Sequence, residues 1–161
     1  MRLHLLAVGR LRPPLREVCD DYVRRLGRYL TVGEVEVREA ARAPTSVAQR
    51  EEEAARLRAR LPEGAATVAL AREGRGWTSS ELARQVEQWR VAARPVAILI
   101  GGSRGLAPGL IAAAGARWSL GPLTLPHELA RVVVVEQLYR AMTILRGEPY
   151  HKGVEGRKST A

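Results

Sequence analysis

The side chains best suited to chemistry in this 161-residue chain are few: His4, His127, His151, a single Cys19, and the glycine loop Gly101-Gly-Ser-Arg-Gly105. The scattered histidines have no second cysteine and no H-E-x-x-H pairing beside them, so the expectation is no metal site. Ser103 sits in Gly101-Gly-Ser-Arg-Gly105, which has the G-x-S-x-G spacing, but no histidine pattern accompanies it and Cys19 falls on an apolar helical face, which leaves nucleophilic catalysis little support. His4 reads as a structural residue of a first strand, whereas His127, just after Pro126, either packs at a helix start or serves a site. The glycine loop follows a strand pattern and precedes a helical one, a setting that lets backbone approach a ligand closely. Its spacing is neither G-x-G-x-x-G nor a P-loop, and the tail Gly156-Arg-Lys-Ser159 imitates a P-loop only in part. A tight turn explains it equally well. The stretch Ser119-Leu-Gly-Pro-Leu-Thr-Leu125 is apolar and restrained by Pro122; it fits either an adenine-wrapping loop or a buried edge strand.

These residues need a frame. Leu3–Val8, ending at Gly9, looks like a buried strand interrupted only by His4, and Val96–Ile100 is a fully apolar strand ahead of the glycine loop. Further strands are expected at Val32–Val37, at Thr67–Leu70 and over or near Ser119–Leu125, with Glu73-Gly-Arg-Gly76 as a turn. Helices are expected after Pro13-Pro14 as far as Leu30, over Ser46–Leu61 as an exposed charged element, and from a Thr78-Ser-Ser-Glu81 capping box. Two more should follow Pro108 and Pro126. The run Val132–Val135 favours a strand by β-branching, but the flanking residues favour helix; being apolar nearly all round, that helix should be buried, against a second subunit if one exists. Strands alternating with helices predict an α/β fold: a mostly parallel sheet with helices on both faces, in one domain over 1–152. Ligands of such folds bind beyond the carboxyl ends of the strands, here the loops after Leu70, after Ile100 and around Leu120–Leu125.

Composition sets the wider limits. A hydrophobic share of 46% and a charged share of 27% are those of a globular protein, not of a disordered or fibrous one. No apolar run is long enough to span a bilayer, and Met1–Leu11 lacks the pattern of a signal peptide, so a cytoplasmic protein with no membrane partner is expected. Lys and Arg exceed Asp and Glu by 26 − 17 = +9, which favours phosphate-rich partners. All but Lys152 and Lys158 of these basic residues are Arg, a bias that coding composition explains as readily as RNA binding does.

Taken together, Leu99-Ile-Gly-Gly102, Trp118-Ser-Leu-Gly-Pro-Leu-Thr-Leu-Pro-His127, Arg131-Val-Val-Val-Val-Glu-Gln-Leu-Tyr-Arg-Ala141 and Pro149-Tyr-His-Lys152 resemble the SPOUT-class ribosomal RNA large subunit methyltransferase H family. The likeness runs from Leu3 to Lys152. It implies an α/β knot with a deep C-terminal trefoil, a homodimer, and S-adenosylmethionine as methyl donor. The implied reaction is methylation of N3 of a pseudouridine in the helix 69 loop of 23S ribosomal RNA, on the assembled ribosome. By motif, the donor site falls on Leu70, Gly101, Leu120, Gly121, Pro122, Leu123, Thr124 and Leu125. His151, Tyr150 and His127 are the catalytic candidates, with Glu128 and Glu136 as further local bases. Tyr150, His151 and Lys152 match a terminal motif expected to meet substrate beside the donor, from across the dimer if not within the chain.

Arg131, Lys152 and Arg104 are the RNA-binding candidates; a structural ion pair is the alternative for Arg131, and open solvent for Arg104. Ala71 stands where the family commonly has Asp, Arg104 is an unexpected base in the glycine loop, and Gly153–Ala161 form an extra basic tail expected to be flexible. Two other functions compete. A non-catalytic RNA-binding or ribosome-assembly factor would keep the fold without turnover, and a nicotinamide-dependent enzyme would need the dinucleotide fingerprint that is missing here.

Overall fold

A computed structural model describes residues 1–151; Lys152 and the tail 153–161 lie outside the described residues. Five strands form one parallel sheet: β1 (Arg2–Val8), β2 (Thr31–Val37), β3 (Ala66–Arg75), β4 (Val96–Ile100) and β5 (Ala116–Trp118), in the order β2-β1-β4-β3-β5. Central β1 and β4 are buried on both faces, which is why each is an apolar run without alternation. Pleating divides their side chains. Leu3, Leu5, Ala7, Ile98 and Ile100 face a layer made by α1 (Leu15–Leu26), α3 (Ser79–Val91) and α5 (His127–Leu145). Leu6, Val8, Ala97 and Leu99 face α2 (Ser46–Arg58) and α4 (Pro108–Ala113).

The helix boundaries follow their local chemistry. Thr78 and Glu81 form the expected reciprocal capping box at α3, and the Thr45 hydroxyl accepts from the Ala48 N–H at the start of α2. Helix α1 ends at Leu26, so Tyr29 and Leu30 pack on the core from the connection to β2 instead of from the helix. Helix α2 is shorter than its charged pattern predicts and less exposed, because Gln49, Glu53, Ala54 and Leu57 are buried. Val132–Val135 are helical: packing in the interior of α5, where Val134 and Val135 are fully buried, overrides their β preference.

Two strand assignments differ from the sequence pattern. Glu73–Gly76 does not turn; β3 continues to Arg75, with a register break between Leu70 and Arg75 where both pair with Trp118. Gly74 makes that pairing possible, since a Cβ there would lie 2.7 Å from the backbone of Arg117 and Trp118. The last strand is Ala116–Trp118, and Ser119–Leu125 is a loop leaving it.

This topology places the site. From β1 the chain leaves toward β2 at one edge, and from β4 toward β5 at the other. The crevice therefore opens beyond the carboxyl ends of β1 and β4, where Gly9 and Gly101 lie.

Candidate active site

A cavity of about 880 Å³ occupies this crevice, within the size range of small-molecule sites. Three segments wall it: the end of β3 from Leu70 to Glu73, the glycine loop from Gly101 to Gly105, and the loop after β5. Of the residues expected to bind the donor, Leu70, Gly101, Leu120, Gly121, Leu123, Thr124 and Leu125 line it; Pro122 does not. His127 and Arg104 line it as well.

The glycine loop is closed by its own backbone. Gly105 N–H donates to the Gly102 carbonyl at 3.0 Å, with Gly105 in the left-handed region at φ +76°. A Cβ on Gly101 would lie 2.5 Å from the Gly105 carbonyl carbon, so this glycine permits the turn itself to close. Ser103 adds a tether, its hydroxyl donating to Glu39 Oε1 at 3.0 Å.

The loop after β5 is held at its two ends. Ser119 N–H donates to the Arg75 carbonyl at 2.9 Å, and the Ser119 hydroxyl accepts from Gly121 N–H at 3.2 Å. Near its far end, Arg72 donates to the Thr124 hydroxyl. In this loop the N–H groups of Leu120 and Leu125 find no protein acceptor among the described residues. Aliphatic walls beside free backbone polar groups suit a flat heteroaromatic ring that is read along its edge.

The candidate bases are not equivalent. His127 lies at the start of α5 facing the cavity; a Cβ on Gly9 would lie 3.9 Å from its Nε2. Glu128, one residue on, is fully engaged by Arg12, whose N–H donates at 2.7 Å to Oε1 and whose guanidinium donates at 2.9 and 3.0 Å to Oε2. Those hydrogen bonds hold the Glu128 carboxyl below the usual range, so it is a poor proton acceptor. Glu136 accepts from Arg140 at 2.6 Å and from the Tyr150 hydroxyl at 3.0 Å.

Tyr150 packs edge-on against Tyr139, and burial together with hydrogen bonding to Tyr22 and Glu136 raises its phenol. Neither Tyr150 nor the buried His151 lines the cavity of its own chain. Both sit in the short 3-10 helix Pro149–His151, which packs on α5.

Arg131, an RNA-binding candidate with a structural ion pair as its alternative, is found in an interior ion pair. It is 1% exposed, pairs with Glu36 at 2.6 Å and Glu34 at 3.6 Å, and donates to the Gly9 carbonyl at 2.9 Å. Arg104 is exposed at the cavity rim. Cys19 is buried beside Glu34, and that burial pushes its thiol up to about 11, which keeps it protonated and inert. Sequence reasoning missed Arg50, Arg72 and Glu73, which line the cavity. Arg72 and Glu73 were hidden by reading a turn there; Arg50 lay in a helix whose charge pattern resembled a solvated face.

Comparisons with known proteins identify the family of the chain. The family described as "Predicted SPOUT methyltransferase" matches residues 1–151. The ribosomal RNA large subunit methyltransferase H of Rubrobacter xylanophilus is 54% identical over 155 residues, covering 93% of this chain and 98% of the relative. The protein of the same name from an Anaeromyxobacter species is 47% identical over 153 residues, covering 94% and 100%. Among solved structures, a probable methyltransferase from Bordetella pertussis Tohama I aligns with a TM-score of 0.53 at 18% identity, over 88% of this chain and 96% of that one. This last likeness concerns the fold alone. The chain is a methyltransferase, and it belongs to the SPOUT class and within it to the ribosomal RNA large subunit methyltransferase H family.

Proposed function

We propose that this enzyme methylates N3 of a pseudouridine in the helix 69 loop of 23S ribosomal RNA, on assembled ribosomes, with S-adenosylmethionine as donor. The reading includes a cytoplasmic homodimer and one domain over 1–152 carrying a C-terminal trefoil knot. The observation that carries it is the cavity: the loops at Leu70, Gly101 and Leu120–Leu125, which are far apart in sequence, wall one space. Its size, aliphatic surface and free backbone groups fit an adenosyl group.

When bound, S-adenosylmethionine supplies an activated methyl group, which moves to N3 as its carbon–sulfur bond breaks and leaves a neutral thioether. The protein's part is positioning and the exclusion of water. Leu120 and Leu125 offer backbone groups to the adenine edge, while the closed glycine loop fixes the opposite wall. His127 is the candidate base placed at the cavity within the chain, and its imidazole accepts the N3 proton in this reading. Tyr150 and His151 act from the partner subunit in this reading; Lys152, the third residue of that motif, lies outside the described residues. The surplus of +9 and the exposed Arg104 favour the approach of RNA phosphates.

Support for a second subunit comes from half-exposed apolar residues on the paired helices, Val18 of α1 at 41% and Leu129 of α5 at 37%. Titration of S-adenosylmethionine into the native protein and into Gly101→Ala tests the donor site. The native protein should bind, and the variant, whose loop cannot close, should lose at least about tenfold in affinity, roughly 1.4 kcal/mol. Equal affinities would remove the glycine loop from the site.

A further inference from the structure

Arg50 projects from α2 to the cavity wall beside the glycine loop, and its Nε is buried without a hydrogen-bond partner. It forms no ion pair among the described residues, although α2 is rich in acids. Glu52 pairs with Arg56 at 3.7 Å, and Glu53 accepts through Oε1 alone, from Ala40 N–H at 3.2 Å and from Gln49 Nε2 at 2.9 Å; its Oε2 is buried without a partner, yet it does not pair with Arg50. A guanidinium drawn partly out of water with an unsatisfied N–H is costly unless a ligand completes it.

The helix holding Arg50 is registered against the glycine loop through one carboxylate. Glu39 Oε1 accepts from Ser103 on that loop at 3.0 Å and from Gln49 on α2 at 3.4 Å. Arg50 is therefore carried by a braced element, as a residue that recognises a fixed group must be. The other cations of the cavity are placed differently: Arg72, which donates to the Thr124 hydroxyl, and Arg104 are both exposed to solvent.

We propose that Arg50 binds the carboxylate of the donor's amino-acid arm, an assignment that rests on the S-adenosylmethionine reading above. A guanidinium fork matches a carboxylate in geometry and charge. An RNA phosphate would arrive from solvent, where Arg104 is exposed; the donor's arm lies inside the cavity with Arg50.

Calorimetric titration with two ligands tests this: S-adenosylhomocysteine, which keeps the carboxylate, and methylthioadenosine, which lacks the amino-acid arm. Arg50→Ala and Arg50→Gln should weaken S-adenosylhomocysteine about ten- to hundredfold and leave methylthioadenosine unchanged. Arg50→Lys should recover part of the loss. Circular dichroism of each variant and the unchanged methylthioadenosine affinity together establish that the cavity is intact. Equal weakening of both ligands would make Arg50 a structural residue and overturn the assignment. Unchanged binding of both, with a raised KM for the RNA substrate, would give Arg50 to a phosphate and overturn it as well. A native protein that binds methylthioadenosine but gains nothing from the amino-acid arm would refute the carboxylate contact alone; one that binds neither would refute the donor reading itself.

Discussion

Arg131 and His127 sit one turn apart on α5 and have opposite fates, one sealed into the interior and one facing the cavity. Arg131 is buried while Glu34 and Glu36 keep some contact with water, so Arg131→Ala, which removes its charged hydrogen bonds, should cost about 1–3 kcal/mol in urea unfolding. The salt dependence of ribosome binding should stay as in the native protein. A stable variant with a shallower salt slope would return Arg131 to the RNA surface. The sequence could not separate these roles, because the Glu36 partner lies 95 positions away and only the pairing of β1 with β2 brings it near. Gly101 was legible as a site residue, but for a different reason than the structure supplies: its missing Cβ makes room for Gly105. Arg50 was illegible for the same kind of reason, since a helix rich in acids gives no sign of which charges are already paired.

At the scale of elements, the carboxyl-end loops are joined by a few long-range polar ties, of which Arg12 to Glu128 links the segment after β1 to the first turn of α5. Glu128 is held below its ordinary range in the folded chain, so the unfolded chain binds its proton more tightly. Its contribution is present above the ordinary glutamate value of about 4.3 and is lost as pH falls through the lower folded value. Glu128→Gln should melt earlier than the native protein near neutral pH, and the two melting temperatures should converge as pH falls below the ordinary glutamate range. Parallel curves would mean that the tie contributes nothing. The strands β1 and β4 were readable because burial on both faces leaves an apolar run with no competing pattern. The extension of β3 was not: Glu73-Gly-Arg-Gly76 has turn composition, and Gly74 is a glycine because β5 passes against it. The loop Ser119–Leu125 was ambiguous for a related reason, since an apolar stretch lining a cavity has the same composition as one buried in a sheet.

At the scale of the molecule, all five strands run parallel and the chain at the ends of β3, β4 and β5 walls one cavity, while Tyr150 and His151 pack on α5 outside it. If the terminal segment serves the partner's cavity, light scattering at micromolar concentration should give about twice the chain mass of 17.7 kDa. In that dimer, His151→Ala should lower turnover more than donor affinity. An active monomer, or equal losses in both quantities, would contradict the arrangement. Composition alone left the partner open, because an arginine surplus of coding origin and one selected for RNA have the same net charge.

The most direct test of the central claim is methyl transfer from labelled S-adenosylmethionine to ribosomes taken from a strain that lacks this enzyme. Free large subunits and pseudouridine-free ribosomes would run alongside, and the modified nucleotide would be mapped by mass spectrometry. The account predicts label on N3 of the helix 69 pseudouridine in intact ribosomes, with little on either control. Label at another nucleotide would contradict the assigned substrate, and binding to ribosomes with no transfer would contradict catalysis and favour a ribosome-assembly factor.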